Sequence, residues 1–515
     1  MDSELLDKEV LCIIDIRQIQ KFIFHSNKTI DTLGASVIMK SILEDALLYA
    51  VKNIESPLKD NQYDLLMNPD IKTVPYFNDE NVLIQLIINS AGNAQIIFRT
   101  GELCQKVVRK VSRYLLDTTY ALEIASCAVA RTDSNIVDNN ALYRKLDLVK
   151  ADFPSAHLLL PPAIVKKEKN TGEAVYKIDK DGEAISKSTY IRRKLAIQAH
   201  DTMDMKQVHS EKGPNDAKYL AVLHIDGNNM GMTIGKIMPK AKSYEDTVKI
   251  RRLIDKNIDQ GYTNTLSNTL AWLKKEYYPD GISEEEFSKE FLVFHRGGDD
   301  LNIVCAPRLA IPFVERFVEE LKNAYLWNDD ELKVNFSICG GVAFVFRDYP
   351  FIPAFDLAEE CCSNAKKFAK KAENSINGLS GNWFDFEIQM DDRVPDIDHN
   401  REQYYKTSEN INMLLRPYTF DDAKKDDIRY FENLKKRINL IRNLKLSKPE
   451  RELLEKSYSS GIVEFESVIS NMKFDGKTLV EILGDSIVID SERQKIAAWY
   501  DATILSEFYR GCELK

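Results

Sequence analysis

The stretch Phe291-Leu-Val-Phe-His-Arg-Gly-Gly-Asp-Asp-Leu-Asn-Ile-Val-Cys305 places two glycines and two aspartates between two apolar runs. A Gly-Gly pair between strand-like runs predicts a tight hairpin, because such turns need positive φ angles. Asp299 and Asp300 are therefore expected at the hairpin tip. Two adjacent carboxylates repel each other, and a fold tolerates them readily when a cation lies between them. The alternative is a solvated tip with two incidental acids.

Composition limits the classes of protein to consider. A chain of 515 residues predicts about three domains, and its net charge of −10 excludes a generally basic nucleic-acid binder. Apolar runs stay well short of the ~18 residues of a membrane helix. The acidic start lacks the basic region of a signal peptide, and none of the eight cysteines forms a Cys-x-x-Cys pair. We therefore expect a cytoplasmic protein with reduced core thiols.

The chain uses one plan twice. Asp15 lies 77 residues before Gly92, and Asp226 lies 72 residues before Gly298. Each block predicts the order β-α-β-β-α-β, the ferredoxin-like arrangement of polymerase and cyclase palms. The first block has Ser90-Ala-Gly-Asn93 where the second has Gly297-Gly-Asp-Asp300, so it keeps the hairpin and lacks the acids. The fold class is therefore α+β with two palm domains.

The second block carries the candidate chemistry. Asp226 ends a predicted central strand and Asp299 begins the strand leaving the hairpin, so both carboxylates are expected to converge on a Mg²⁺ or Mn²⁺ site, with Asp300 assisting. Helix N-terminal amides of the turn Gly227-Asn228-Asn229-Met230-Gly231 are expected to face a triphosphate, beside Gly297 and Gly298. Lys366 and Lys370 lie on one helical face and can neutralise it. The alternative for these lysines is a solvated face.

A smaller signal lies in the first block. Gly34, Ala35 and Ser36 are predicted at a helix start, where their amides could cradle a phosphate. The alternative is an ordinary N-terminal cap.

At these residues the sequence resembles a known family, the large subunit of type III CRISPR effector complexes, a palm-domain polymerase/cyclase. The resemblance spans residues 10 to about 420 and rests on seven pieces, which are Asp15-Ile-Arg-Gln-Ile-Gln-Lys-Phe-Ile-Phe, Gly34-Ala-Ser36, Asp226-Gly-Asn-Asn-Met-Gly231, Gly297-Gly-Asp-Asp300, Ser337-Ile-Cys-Gly-Gly341, Ala358-Glu359 with Ala365-Lys366, and Arg416-Pro-Tyr418. The Gly-Gly-Asp-Asp piece also resembles GGDEF diguanylate cyclases, which carry one palm per chain.

The resemblance implies synthesis of cyclic oligoadenylates from ATP as antiviral second messengers. It implies Asp226, Asp299 and Asp300 as catalytic residues, and these together with Ile225 as the metal-binding set. Implied partners are CRISPR-type small subunits, guide RNA and target RNA. Two departures stand out. We expect neither the family's N-terminal HD nuclease, because the first palm begins near residue 10, nor its zinc knuckle, because residues 128–304 hold no cysteine. Asn228 also replaces a frequent second aspartate.

We predict a first, degenerate palm at 1–150, a linker or insertion without zinc at 151–217, a catalytic palm at 218–395 and a helical C-terminal domain at 396–515. Because both palms lie in one chain, a monomer could form the active cleft. Two other functions remain open. One is a non-catalytic scaffold subunit of an RNA-guided complex, and the other is a stand-alone defence polymerase that forms dinucleotides.

Overall fold

The computed structural model describes residues 3–509, except for 27, 68–71, 91, 153–163, 199–207, 209–215, 372–374, 377–378, 390–395, 408–409, 411, 475 and 484–491. Among the described residues, no helix combines the length and the apolar character that a membrane span requires. The cysteines of this part of the chain are buried free thiols, as predicted.

The first palm is built on a five-stranded sheet in the order β2-β3-β4-β1-β5. Its strands are β1 Val10–Ile16, β2 Tyr63–Asp64, β3 Ile84–Ser90, β4 Asn93–Phe98 and β5 Ile124–Ala130. Its helices are α1 Ile19–Ile23, α2 Thr29–Asn53, α3 Pro75–Asn78, α4 Gly101–Thr119 and α5 Asn135–Ala151. β1 is central and covered on both faces, which explains its continuous apolar sequence.

The region between the palms contains a hairpin, β6 Val175–Ile178 and β7 Ala184–Ser186, and the helix α6 Lys187–Gln198. Helix α6 packs along α2. A Cβ atom at Gly34 would overlap the carbonyl oxygen of Arg192 and lie 2.9 Å from its Cα. The backbones of α2 and α6 therefore touch at Gly34, a contact that only glycine permits.

The second palm repeats the sheet order of the first. Strands β13-β8-β10-β9 correspond to β5-β1-β4-β3, and β16 and β17 extend the sheet beyond β13. The strands are β8 Tyr219–Gly227, β9 Phe291–Gly297, β10 Asp300–Cys305, β11 Tyr325–Asn328, β12 Lys333–Asn335, β13 Ile338–Phe346, β14 Ser375–Ile376, β15 Leu379–Ser380, β16 Trp383–Ile388 and β17 Tyr418–Thr419. The helices are α7 Met230–Ile237, α8 Tyr244–Tyr277, α9 Glu284–Ser288, α10 Pro307–Leu321, α11 Phe351–Ala369 and α12 Ile397–Tyr404.

The strand-like run 333–346 is divided into two strands. β12 pairs with β11, and β13 begins only at Ile338. Between them, the Ser337 carbonyl accepts a hydrogen bond of 2.7 Å from the Asn228 amide. The residue just before β13 is thus hydrogen-bonded to the turn that follows β8.

The C-terminal part is mainly helical and has its own apolar core. It comprises α13 Phe431–Asn443, α14 Lys448–Ser460, α15 Ile462–Asn471, β18 Lys473–Phe474, β19 Lys477–Thr478, α16 Leu479–Leu483 and α17 Glu492–Leu505. Asp501 on α17 accepts hydrogen bonds from the Leu415 and Arg416 amides and the Tyr418 hydroxyl, which fixes this helix to the second palm. The predicted fold class is confirmed.

The two palms share one apolar core. The Phe24 ring, which follows α1, stacks on Phe355 of α11 at 3.6 Å between centroids and meets Phe294 of β9 edge-on at 6.0 Å. Because residues of both palms belong to the same buried cluster, their relative position is fixed by packing.

The predicted amide cradle at residues 34–36 is wrong. Helix α2 begins at Thr29, so these residues lie in its second turn, where backbone amides bond within the helix. Gly34 and Ala35 are buried and Ser36 is 4% exposed. Tertiary contact with α6 explains the small side chains here, and no phosphate is needed to account for them.

Gly34→Ala is expected to lower the free energy of unfolding by about 1–3 kcal/mol, because a methyl group must push the two helix backbones apart. The measurement is chemical denaturation. Gly235→Ala in the exposed middle of α7 is the control, since its Cβ meets open space and should be neutral or stabilising. Equal stability of Gly34→Ala and wild type would contradict the close helix contact.

Candidate active site

The three aspartates lie at one end of the second sheet. Asp226 is the penultimate residue of β8, Asp299 lies in the hairpin turn and Asp300 begins β10. Leu301 pairs with Ile225, so Asp300 and Asp226 come next to each other across the two strands. Gly298 makes the turn with a φ of 63°. The structure therefore brings the predicted acids together.

Asp299 lies directly over Gly227. A Cβ atom on Gly227 would overlap Asp299 Oδ2 and lie 3.0 Å from Asp299 Cβ. Glycine is thus required at this position to admit the acid. The pKa of Asp299 is raised to about 6, first by burial and then by the charges of Asp226 and Asp300. The carboxylates repel each other within the fold, and a bound cation would relieve that repulsion.

Asp226 already has one cationic neighbour. The Lys366 ammonium on α11 donates a hydrogen bond to Asp226 Oδ2. Burial disfavours the charge of Lys366, but the Asp226 carboxylate outweighs this effect and raises the pKa of the lysine. Lys370 is exposed one turn later, at the C-terminal end of the helix. Only Lys366 of the two predicted lysines therefore reaches the acids.

Asp300 is held by neutral polar side chains. Its Oδ2 accepts from Gln20 of the first palm at 2.9 Å, and its Oδ1 accepts from Asn302 at 3.0 Å. His224 Nδ1 lies 3.4 Å from the same Oδ1. Both oxygens are engaged, so Asp300 joins the two palms in this structure. Sequence reasoning missed Gln20, because nothing in the linear pattern places α1 beside β10.

The turn after β8 keeps its predicted shape. Asn229, with a φ of 52°, is the N-cap residue of α7, and Gly231 is exposed in the first helical turn. Asn228 differs from the expectation, since it is 2% exposed and its side-chain amide donates to the Gly381 carbonyl at 3.1 Å. The backbone amide of Asn228 already donates to the Ser337 carbonyl, so this amide of the turn is not available to a triphosphate.

The place of Ile225 in the metal-binding set stays a prediction. Ile225 is fully buried and pairs with Leu301 on one side and Gly340 on the other. Its side chain has no ligand atom, so any contact with a metal would use the backbone carbonyl, whose oxygen has two lone pairs.

A cleft of about 520 Å³ opens between the two hairpins. Asp299 and Asp300 line it together with Gly297 and Gly298, and residues of both palms complete its wall, namely Ile19, Gln20, Met39, Lys40, Asn89, Ser90, Gly92, Asp255, Ile258, Asp259, His295 and Arg296. The volume falls within the range of small-molecule sites. Asp226, Gly227 and Lys366 adjoin Asp299 outside this wall.

The first-palm side of the cleft has its own polar contacts. Ser90 and Asp255 of α8 both line the cleft, and Ser36 Oγ lies 3.0 Å from His295 Nδ1. A Cβ atom on Gly298 would come 3.8 Å from Ser90 Oγ, so the two hairpin tips nearly touch. Ser36 therefore helps to shape the cleft through His295, although not through its amide as predicted.

The first palm lacks an equivalent acid pair. Asn93 pairs with Asp15 in the sheet and donates to its Oδ1 at 3.3 Å, and Lys150 lies 2.9 Å from Oδ2. Asp15, the acid at the end of β1, therefore already has a hydrogen-bond donor and a positively charged neighbour.

The acids of the second palm suit a metal ion whose remaining ligands come from the substrate. In the described part of the chain, no group of three or more His, Cys, Asp or Glu side chains is arranged to hold a metal ion. Mg²⁺ needs only one or two carboxylates when phosphate oxygens and water supply the remaining ligands. Asp226 and Asp299, with their mutual repulsion, meet that requirement.

Asp299→Asn is expected to stabilise the metal-free protein at pH 7.5, with a gain that shrinks toward pH 4.5. The raised pKa means that folding disfavours the charged carboxyl, a cost complete above about pH 6 and absent below the ordinary value of 3.8. A pKa change of about two corresponds to at most about 3 kcal/mol. Asp226, Asp300 and Lys366 face the group and are unchanged in both proteins.

Thermal unfolding in EDTA at the two pH values measures this effect. Asp15→Asn is the matched control, because its ion pair with Lys150 should make its loss neutral or destabilising at pH 7.5. A pH-independent difference between Asp299→Asn and wild type would contradict the interpretation.

Fold and site together define a tandem-palm protein whose second palm carries neighbouring acids at one end of its sheet. Residues 219–376 match the family model described as Cas10/Cmr2, second palm domain. This match confirms the resemblance to the large subunit of type III CRISPR effector complexes, and it falls on the palm that holds Asp226 and Asp299.

Solved structures have the same fold. The apo Csm1-Csm4 cassette matches with a TM-score of 0.52 and 13% identity, over 99% of this chain and 71% of the other. The cassette in complex with cA4 matches with a TM-score of 0.50 and 13% identity, over 98% and 70%. The Csm1-Csm4 subcomplex of the type III-A CRISPR-Csm interference complex gives 0.50 and 13%, over 99% and 71%. No curated protein sequence matches the chain.

Proposed function

We propose that this chain is a metal-dependent nucleotidyltransferase that joins ATP into cyclic oligoadenylates. The observation that carries the proposal is the half-buried Asp299 carboxylate, seated over Gly227 beside Asp226 at the edge of a two-palm cleft. The family match on residues 219–376 supports the same reaction class. The solved cassette with cA4 shows that a protein of this fold binds such a compound.

Asp226 and Asp299 would hold Mg²⁺ or Mn²⁺. The bound metal would activate a 3′-hydroxyl and stabilise negative charge as pyrophosphate leaves. Lys366 would turn from Asp226 toward the phosphates when a metal takes its place, so the positive charge stays in the site. Backbone amides at the N-terminus of α7 would donate hydrogen bonds to the triphosphate oxygens.

The first palm would position the second nucleotide. Its hairpin brings Ser90 and Asn89 to the cleft opposite Asp299, and its strand-end acid Asp15 is already paired with Lys150. The metal chemistry would therefore belong to the second palm alone. The hydrogen bond from Gln20 to Asp300 would hold the two palms in a fixed relative position.

The partners belong to the proposal as well. Solved relatives in fold are subcomplexes with Csm4 within a CRISPR-Csm interference complex. We propose that this chain likewise joins small CRISPR-type subunits, guide RNA and target RNA.

Incubation of the purified chain with Mn²⁺ or Mg²⁺ and all four nucleoside triphosphates is expected to yield adenylate products and pyrophosphate, identified by mass spectrometry. Specific activity should not fall on dilution, because one chain supplies both sides of the cleft. EDTA should abolish the product. A linear or cyclic dinucleotide would favour the stand-alone polymerase. A steep loss on dilution would mean that two second palms meet between chains.

A further inference from the structure

A small cavity on the first palm is lined by three cationic side chains. It measures about 160 Å³, and its wall includes Arg17, Lys21 and Arg192, with His25 beside them. It has no lining residue in common with the cleft between the palms. Helix α1 separates the two, since Ile19 and Gln20 face the cleft while Lys21 and Phe22 face the cavity.

Arg192 is buried and forms no ion pair with any carboxylate among the described residues. Its side chain comes from α6, is 2% exposed, and lies over the Phe22 ring at 4.3 Å from the centroid. Its Nε has no hydrogen-bond partner in the described part of the chain. Burial lowers the pKa of Arg192, and the surrounding acids do not compensate.

Two of the three acids nearest Arg192, Asp31 and Glu168, already have other partners, and the third, Glu173, lies in the wall of the same cavity. Asp31 binds the neighbouring Arg193 at 2.7 Å, and Glu168 accepts from Thr189 at 3.0 Å. A buried charge that lacks a partner is strongly unfavourable. Glu173 is the remaining acid near Arg192, and it shares the cavity with three cationic side chains, so a further counter-charge from outside the chain would be favourable.

The other cavity residues lead to the same conclusion. Among the described residues, the side chains of Lys21 and His25 form no hydrogen bond or ion pair. Glu123 and Glu173 also line the wall, so three positive and two negative side chains leave one net positive charge when His25 is neutral. An anion that bridges Arg192, Lys21 and His25 would satisfy three groups at once.

We propose that this cavity binds an oxyanion of the phosphate class. Arginine presents a planar fork of donors that matches phosphate oxygens. The volume lies below the usual range of sites for whole small molecules, so a phosphate or diphosphate group fits better than a nucleoside. The group is either free phosphate or pyrophosphate, or the terminal phosphates of a nucleotide.

Isothermal titration with pyrophosphate in EDTA tests the site, because the chelator removes metal-dependent binding at the acids. Wild type is expected to bind pyrophosphate, and Arg192→Gln and Lys21→Gln to bind at least about tenfold more weakly, the usual effect of losing a charged hydrogen bond. Lys194→Gln removes the same charge from an exposed position on α6 and should bind normally. Asp299→Asn should also bind normally, which separates this site from the proposed catalytic function.

Two further measurements complete the test. Arg192→Gln should leave the melting temperature of the free protein unchanged or raise it, since an uncompensated buried charge is removed. Displacement of pyrophosphate by ATP would identify nucleotide phosphates as the source, and failure to displace it would identify the free anion. No binding of pyrophosphate at millimolar concentration, or equal affinity of wild type, Arg192→Gln and Lys21→Gln, would overturn the proposal.

Discussion

Asp226→Asn and Asp299→Asn are each expected to lower the rate of ATP conversion at least about a thousandfold. Charge stabilisation by a metal contributes several kcal/mol to the transition state, and each 1.4 kcal/mol is tenfold in rate. Each variant removes one of two interacting carboxylates, Asp299 over Gly227 or its neighbour Asp226. Pyrophosphate release and chromatography of adenylate products at saturating Mg²⁺ measure the effect.

Asp15→Asn is the matched control for these variants. Asp15 holds the corresponding strand-end position in the first palm, but Lys150 and Asn93 neutralise it. The control should therefore retain activity close to that of wild type. Undiminished product from both second-palm variants would disprove the assignment of the acids. A loss in Asp15→Asn as large as in Asp299→Asn would disprove the division of labour between the palms.

Gly227→Ala is expected to lower activity at least about a hundredfold while the protein remains folded. The added methyl group occupies the space of the Asp299 carboxylate, so the acid must move by an ångström or more. A displacement of that size at a reacting centre costs about a hundredfold. The measurement combines the rate of ATP conversion with a thermal unfolding curve.

Gly235→Ala is the control for Gly227→Ala. It makes the same substitution in α7, the helix that follows Gly227, where the new methyl group meets open space. It should keep full activity and lose no stability. Unchanged activity in Gly227→Ala would show that Asp299 does not need its position over residue 227, and the metal geometry proposed here would then be wrong.

The sequence alone was sufficient for the repeat and for the acids. A Gly-Gly pair that needs positive φ marks the second hairpin, and Gly298 has a φ of 63°. The apolar runs around Asp15 and Asp226 predict central strands, and both strands are central in their sheets. These features are local, because turn conformation and strand burial leave a signature in consecutive residues.

Predictions that depended on where a helix begins were less successful. Gly34-Ala35-Ser36 has the composition of a helix start, but α2 begins at Thr29. Small residues suit a phosphate-binding turn and a tight helix contact equally well, and here the contact with α6 accounts for Gly34. The backbone amide of Asn228 was likewise expected to face a triphosphate, but it donates to the Ser337 carbonyl.

Only the tertiary structure revealed the pairs that form the cleft. Gln20 meets Asp300 across 280 positions of sequence, and Ser36 meets His295 across 259. Such contacts depend on how the two palms pack, and packing is decided by the combined fit of Phe24, Phe294 and Phe355. The sequence by itself determined which acids this protein has and which strands carry them. Their neighbours were decided by the palm–palm interface, because a contact between distant segments leaves no periodic pattern in the chain.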